Sequence, residues 1–148
     1  MARAIVSTAR LDGLNSWHAD WKGLRVVVLG LSMTGFSVAD TLAELGADVL
    51  VVSESADEEY ARLLPVIGAE LWTGSLDTVP DALIAHRPDL VVASPGFAPH
   101  HPVISWTRSE GIALWGDLEL AWRVRDKVPR PDGSPHEWIL VTGTNGKT

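Results

Sequence analysis

Apolar residues in this chain fall into short runs that alternate with segments of helical spacing. Arg25-Val26-Val27-Val28-Leu29 is a β-branched run, the pattern of a strand buried on both faces. It stops at Gly30. From Gly35, the residues Phe36, Val38, Ala39, Leu42 and Leu45 recur at helical spacing until Gly46, which predicts a helix. The alternation continues, with strands predicted at 47–52, 68–72, 89–93 and 112–115. Helices are predicted from near Asp57 to Ile67 with an interruption at Pro65, and at 81–86, 102–110 and 116–122. This order predicts an α/β fold: a Rossmann-like, mostly parallel five-stranded sheet with helices on both faces. Residues 1–22 show no clear period. Trp17 and Trp21, four apart, read as the apolar face of a helix leading into the first strand, for packing and not for a site.

The turn after the first strand carries chemistry. Gly30-Leu31-Ser32-Met33-Thr34-Gly35 follows the spacing G-x-G-x-x-G with Ser32 at the middle position. Strand, tight turn and helix in that order present backbone N–H groups and a helix N-terminus to an anionic phosphate. Ser32 argues against a standard NAD-type site, and a tight turn without a ligand is the alternative. Glu54 lies near the acidic, ribose-binding position found about 20 residues past such a turn; the alternative is that it caps the helix starting near Asp57. Ser94-Pro95-Gly96 follows the fourth predicted strand and offers a hydroxyl, a rigid turn and a small residue. In open α/β sheets ligands gather at such strand ends, although an ordinary βα turn reads the same way. His86 reads as a surface residue at a helix C-terminus. His100 and His101 are neighbours, and adjacent helical residues point in different directions, so no metal is expected there.

Composition narrows the class. The 148 residues contain 46% apolar and 21% charged positions, which suits a soluble, globular chain of one full domain and part of another. A net charge of −7 argues against nucleic acid as a partner. The absence of cysteine excludes disulfides and thiolate metal sites. No apolar run reaches the ~18 residues of a membrane span, and the N-terminus lacks signal-peptide character, so a cytoplasmic protein with no membrane insertion is expected.

Residues 126–136, rich in Pro, Gly, Asp and Ser, read as a linker. They divide a lead-in (1–22) and a Rossmann-like domain (23–125) from the start of a second unit (137–148). There Trp138–Thr142 is predicted as a strand running into Gly143-Thr144-Asn145-Gly146-Lys147-Thr148. Backbone amides of such a loop cradle phosphate oxygens, Lys147 adds a point charge, and the Thr148 hydroxyl is placed to ligate Mg²⁺. The spacing G-x-x-G-K-T is shorter than the usual P-loop. The sequence ends at this loop, without the helix whose N-terminus helps to hold phosphates. The 148-residue chain is therefore expected to be the front part of a larger ATP-using enzyme and inactive by itself.

Four motifs in order, GLSMTG, ASPGFAPHHPVI, GIALWGDLEL and VTGTNGKT, resemble the Mur ligases of peptidoglycan synthesis, most closely the D-glutamate-adding branch. The resemblance runs from about Leu24 to Thr148. It implies an N-terminal domain for the UDP part of UDP-N-acetylmuramoyl-L-alanine, followed by ATPase and C-terminal domains. It also implies that ATP activates the alanyl carboxylate as an acyl phosphate, which D-glutamate attacks, with no catalytic residue inside this chain. By the resemblance, Ser32, Met33, Thr34 and Gly35 line the uridine-diphosphate pocket, Ser53, Glu54 and Ser55 meet the uracil, and Ser94, Pro95 and Gly96 close over the nucleotide. Gly143 to Thr148 bind ATP, with Lys147 on its phosphates and Thr148 on Mg²⁺. Relatives often carry Asp where Ser53 stands, so the uracil contact passes to Glu54 or is made differently. A monomer is expected. The rival readings are a stand-alone NAD(P)-binding Rossmann domain and a non-catalytic nucleotide-sensing or scaffold domain.

Overall fold

A computed structural model describes residues 8–146. Eleven elements follow one another: α1 (Thr8–Asp12), β1 (Arg25–Leu31), α2 (Met33–Glu44), β2 (Asp48–Ala56), α3 (Glu58–Ile67), β3 (Glu70–Thr73), α4 (Asp81–His86), β4 (Leu90–Ala93), α5 (Pro102–Ser109), β5 (Ala113–Gly116) and α6 (Asp117–Arg123). The five strands form one parallel sheet in the order β3-β2-β1-β4-β5. Strand order reverses at β1, so the crevice between the C-terminal ends of β1 and β4 is the switch point of the fold.

The valine-rich strands are buried on both faces because successive side chains point to opposite sides. Val26, Val28, Val49, Val51, Leu90 and Val92 meet Val38, Ala39 and Leu42 of α2, Leu64 of α3 and Leu120 of α6. Val27, Leu29, Leu50, Val52 and Val91 face the other way, against Leu83 of α4 and Val103 and Ile104 of α5. Phe36 stacks on Tyr60 with ring centroids 5.2 Å apart, joining α2 to α3. At the opposite end of the sheet from the switch point, buried Asp89 accepts from the Arg25 backbone N–H at 3.0 Å and from its guanidinium at 2.8 and 3.2 Å. That contact clamps the starts of β1 and β4.

Several element boundaries differ from the pattern. β1 continues through Gly30 to Leu31, and β2 runs to Ala56, so Ser53, Glu54 and Ser55 are strand residues. The pairing passes from Leu29 opposite Val52 to Leu31 opposite Ala56, a bulge of the β2 side. Pro65 does not interrupt α3; it sits near the end of the helix, which closes on Gly68 in the left-handed region, with the Gly68 N–H turned back to Leu64 and Pro65. Trp17 and Trp21 lie in no helix. Trp21 is buried, donates from Nε1 to the Ser16 carbonyl at 2.9 Å, and meets Trp115 edge to face.

Residues 138–142 are not a strand. Ile139, Leu140 and Val141 are 91%, 80% and 70% exposed, and Trp138 packs edge to face on Trp122. A strand needs a partner for its backbone donors and acceptors, and no strand among the described residues lies beside this segment. The lead-in, by contrast, belongs to the core: Leu11, Leu14 and Trp21 are buried in it. Arg123 donates to the carbonyls of Leu11 and Leu14 at 3.1 Å, and Asp126 accepts from the Trp17 N–H at 2.7 Å and from the Ser16 hydroxyl.

Candidate functional site

At the switch point the β1–α2 turn closes tightly. Gly30 has φ +95°, and a Cβ on it would meet Ser94 Oγ at 3.2 Å and the Phe97 ring at 3.4 Å. Glycine therefore answers both a backbone and a space requirement here. Ser32 caps α2: its side chain accepts from the Gly35 N–H at 3.5 Å, and its carbonyl accepts from the Phe36 N–H at 2.8 Å. The middle position of the fingerprint is thus a capping residue. Gly35 lies in the first turn of α2, buried against the end of β1.

A cleft of about 280 Å³ opens beside this turn, lined by Gly30, Ser53, Glu54, Ser55, Gly96, Phe97 and His101. β2 supplies three of these residues, β1 supplies Gly30, and the loop from β4 to α5 supplies the rest. Ser53 is 7% exposed. Its Oγ accepts from the Leu31 N–H at 3.1 Å and donates to the Ser55 carbonyl at 2.6 Å, holding the bulge of β2 against β1. Glu54 and Ser55 are exposed. Glu54 does not cap α3; Asp57 does, accepting from the Glu59 N–H at 2.9 Å. Glu54 is therefore left as the one carboxylate among the cleft-lining residues.

Ser94 to Phe97 form a turn closed by the Phe97 N–H and the Ser94 carbonyl at 3.3 Å. Pro95 and Gly96 are its exposed central residues, and a Cβ on Gly96 would meet nothing within 4 Å. Ser94 donates its N–H to Leu29 at 3.2 Å, which joins the loop to β1. Met33 and Thr34 do not line the cleft. Met33 is 70% exposed, and Thr34 lines a separate groove of about 300 Å³ between α2 and α6, with Val38, Leu118 and Ala121. Consecutive residues of a helix face different ways, so the first turn of α2 sends Thr34 away from the crevice.

Phe97 and His101 are cleft residues that sequence reasoning did not assign. The two rings meet edge to face with centroids 5.0 Å apart. His101 caps α5, its Nδ1 accepting from the Val103 N–H at 3.3 Å. The signal in the sequence was His101-Pro102, a polar residue ahead of a proline at the first helical position. His86 is half-buried, its Nε2 without a hydrogen bond. Among the described residues no group of three His, Asp or Glu could hold a metal ion. Gly143, Thr144, Asn145 and Gly146 are exposed and lie outside any helix or strand; Lys147 and Thr148 lie outside the described residues.

The profile of the family described as Mur ligase MurD-like, N-terminal domain, matches residues 24–116. The chain belongs to this family. Among its relatives is the UDP-N-acetylmuramoylalanine–D-glutamate ligase of Leifsonia xyli, 61% identical over 145 residues, covering 96% of this chain and 28% of that protein. The enzyme of the same name from Tropheryma whipplei is 44% identical over 140 residues, covering 95% of the chain and 27% of the relative. That of Streptomyces coelicolor is 38% identical over 133 residues, covering 88% and 26%. The chain thus spans little more than a quarter of the length of these Mur ligases. The matched stretch begins just ahead of β1 and ends at the last residue of β5, so it contains the whole sheet and the cleft.

Proposed function

We propose that this chain is the uridine-nucleotide-binding, N-terminal part of an ATP-dependent ligase that joins D-glutamate to UDP-N-acetylmuramoyl-L-alanine. The observation that carries this reading is the cleft at the switch point, built on the glycine turn of a MurD-like N-terminal domain. A nucleoside diphosphate suits it: glycine backbone at Gly30 and Gly96 permits close approach, and the helix N-terminus beside the turn favours negative charge. Glu54 and Ser55 supply polar groups for the base and sugar, while Ser53 supports the cleft wall from within.

In this reading 23–125 is the substrate-binding domain, 126–136 the linker and 137–148 the opening of an ATPase domain. Gly143 to Thr148 are the proposed ATP loop, with Lys147 on the phosphates and Thr148 as Mg²⁺ ligand in the longer protein. The chemistry supplied there is phosphorylation of the alanyl carboxylate to an acyl phosphate. The residues of this chain bind and orient the UDP end of the substrate while that reaction proceeds elsewhere. The protein works as a cytoplasmic monomer, and the 148 residues alone bind but do not ligate.

Calorimetric titration with UDP-N-acetylmuramoyl-L-alanine, then UDP, then NADH tests the assignment. The first two are expected to bind with similar affinity and NADH to give no heat. Binding of NADH alone would establish the dehydrogenase-like alternative, and phosphate release from ATP and D-glutamate by the isolated chain would refute the division of labour.

A further inference from the structure

We infer that His101 is a phosphate-contacting residue of the switch-point cleft, its Nε2–H donating to the diphosphate of the bound nucleotide. The inference rests on the uridine-nucleotide reading given above. The imidazole is held from two sides. Its Nδ1 accepts the Val103 N–H, so the neutral ring carries its proton on Nε2. Phe97 meets its face or edge at 77° and 5.0 Å, which fixes the ring plane. Nε2 has no hydrogen-bond partner among the described residues, and His101 lines the cleft while its neighbour His100 does not.

The polarity of the cleft decides which part of a nucleotide comes to this donor. Glu54 stands at the end of β2 and His101 on the connection that leaves β4, with β1 between them. Adjacent strands lie about 4.8 Å apart, so β2 and β4 run roughly 10 Å apart, and Glu54 and His101 line the cleft from these two sides of β1. A diphosphate seated at the Gly30 turn is repelled by Glu54 and faces the β4 wall with Gly96 and His101; N–H and O–H donors of base and ribose are drawn to Glu54. On the β4 wall the backbone of α5 has little to give. Pro102 has no N–H, and the Val103 N–H is already taken by His101. The imidazole is the side-chain donor that this helix end presents to the cleft.

Two variants separate the donor from the cap. His101→Asn keeps an acceptor where Nδ1 stands, and Asn is among the best N-cap residues, but it loses the donor at the Nε2 position. His101→Gln keeps a donor at that reach and weakens the cap. Each is titrated with UDP beside the wild type, and its thermal midpoint is recorded. His101→Asn is expected to melt within roughly 2 °C of wild type and to bind UDP about tenfold more weakly, as for a lost hydrogen bond to a charged group. His101→Gln is expected to melt lower and to bind UDP within about threefold of wild type. Wild-type affinity in His101→Asn, or a larger loss in His101→Gln than in His101→Asn, would make His101 a cap only and overturn the inference. Equal losses in both would show that no donor at the Nε2 position is involved and overturn it as well. A wild-type chain silent to UDP would instead overturn the uridine-nucleotide reading, and the inference with it.

Discussion

Gly35 sits so close to Gly30 that a Cβ built on it would lie 2.0 Å from the Gly30 carbonyl oxygen. The first turn of α2 therefore rests directly on the backbone end of β1. This contact sets the floor of the crevice, because it fixes where the helix N-terminus begins relative to the strand.

Gly35→Ala is accordingly expected to destabilise the domain by about 3 kcal/mol, the upper end of the range for overpacking, since backbone and not a flexible side chain must yield. Gly96→Ala, in open space on the other rim, is expected to change stability by less than about 0.5 kcal/mol. Urea midpoints of the two variants check the contrast. Equal midpoints would mean that the turn relaxes freely around Gly35.

Ser53 makes a prediction of a different kind. Its hydroxyl is the partner of a buried backbone donor, the Leu31 N–H. Ser53→Ala leaves that donor unsatisfied at a cost of about 1–3 kcal/mol, readable as a lower urea midpoint with an unchanged slope. An undisturbed midpoint would show that the link between β1 and β2 is not made in solution.

A third prediction concerns acid. Burial by itself would raise the pKa of Asp126, but hydrogen bonds from the Ser16 hydroxyl and the Trp17 N–H outweigh it and hold the carboxyl below its ordinary value. A group with a depressed folded pKa stabilises the fold above its unfolded pKa, about 3.9, and loses that contribution as pH falls through the folded value. Wild type should therefore exceed Asp126→Asn in stability above about pH 5, and the margin should shrink as the pH drops below about 4. Denaturation midpoints across pH 2–7 measure it; a margin independent of pH would contradict the role given to the charge.

What the sequence by itself determined is local. The runs at 25–29, 47–52 and 89–93 marked three of the buried strands, because a valine-rich strand is recognised from its own residues. The glycine turn, the Asp57-started helix and the short helix at 81–86 were legible for the same reason: capping and turn geometry involve residues two to four apart. Family membership followed from motif order, which is also a property of the chain alone.

Tertiary structure decided the rest, because it depends on groups that meet only after the sheet closes. Ser53 looked available until its hydroxyl was found between Leu31 and Ser55, across the β1–β2 bulge. Thr34 belonged to the fingerprint, yet the rotation of α2 turns it toward α6. Phe97 and His101 became cleft residues because the connection leaving β4 carries them to the end of β1. The segment 138–142 had the composition of a strand and no strand beside it to complete its backbone hydrogen bonds. Residues 8–22, without any periodicity, entered the core because Arg123 and Asp126, more than a hundred positions away, satisfy their backbone.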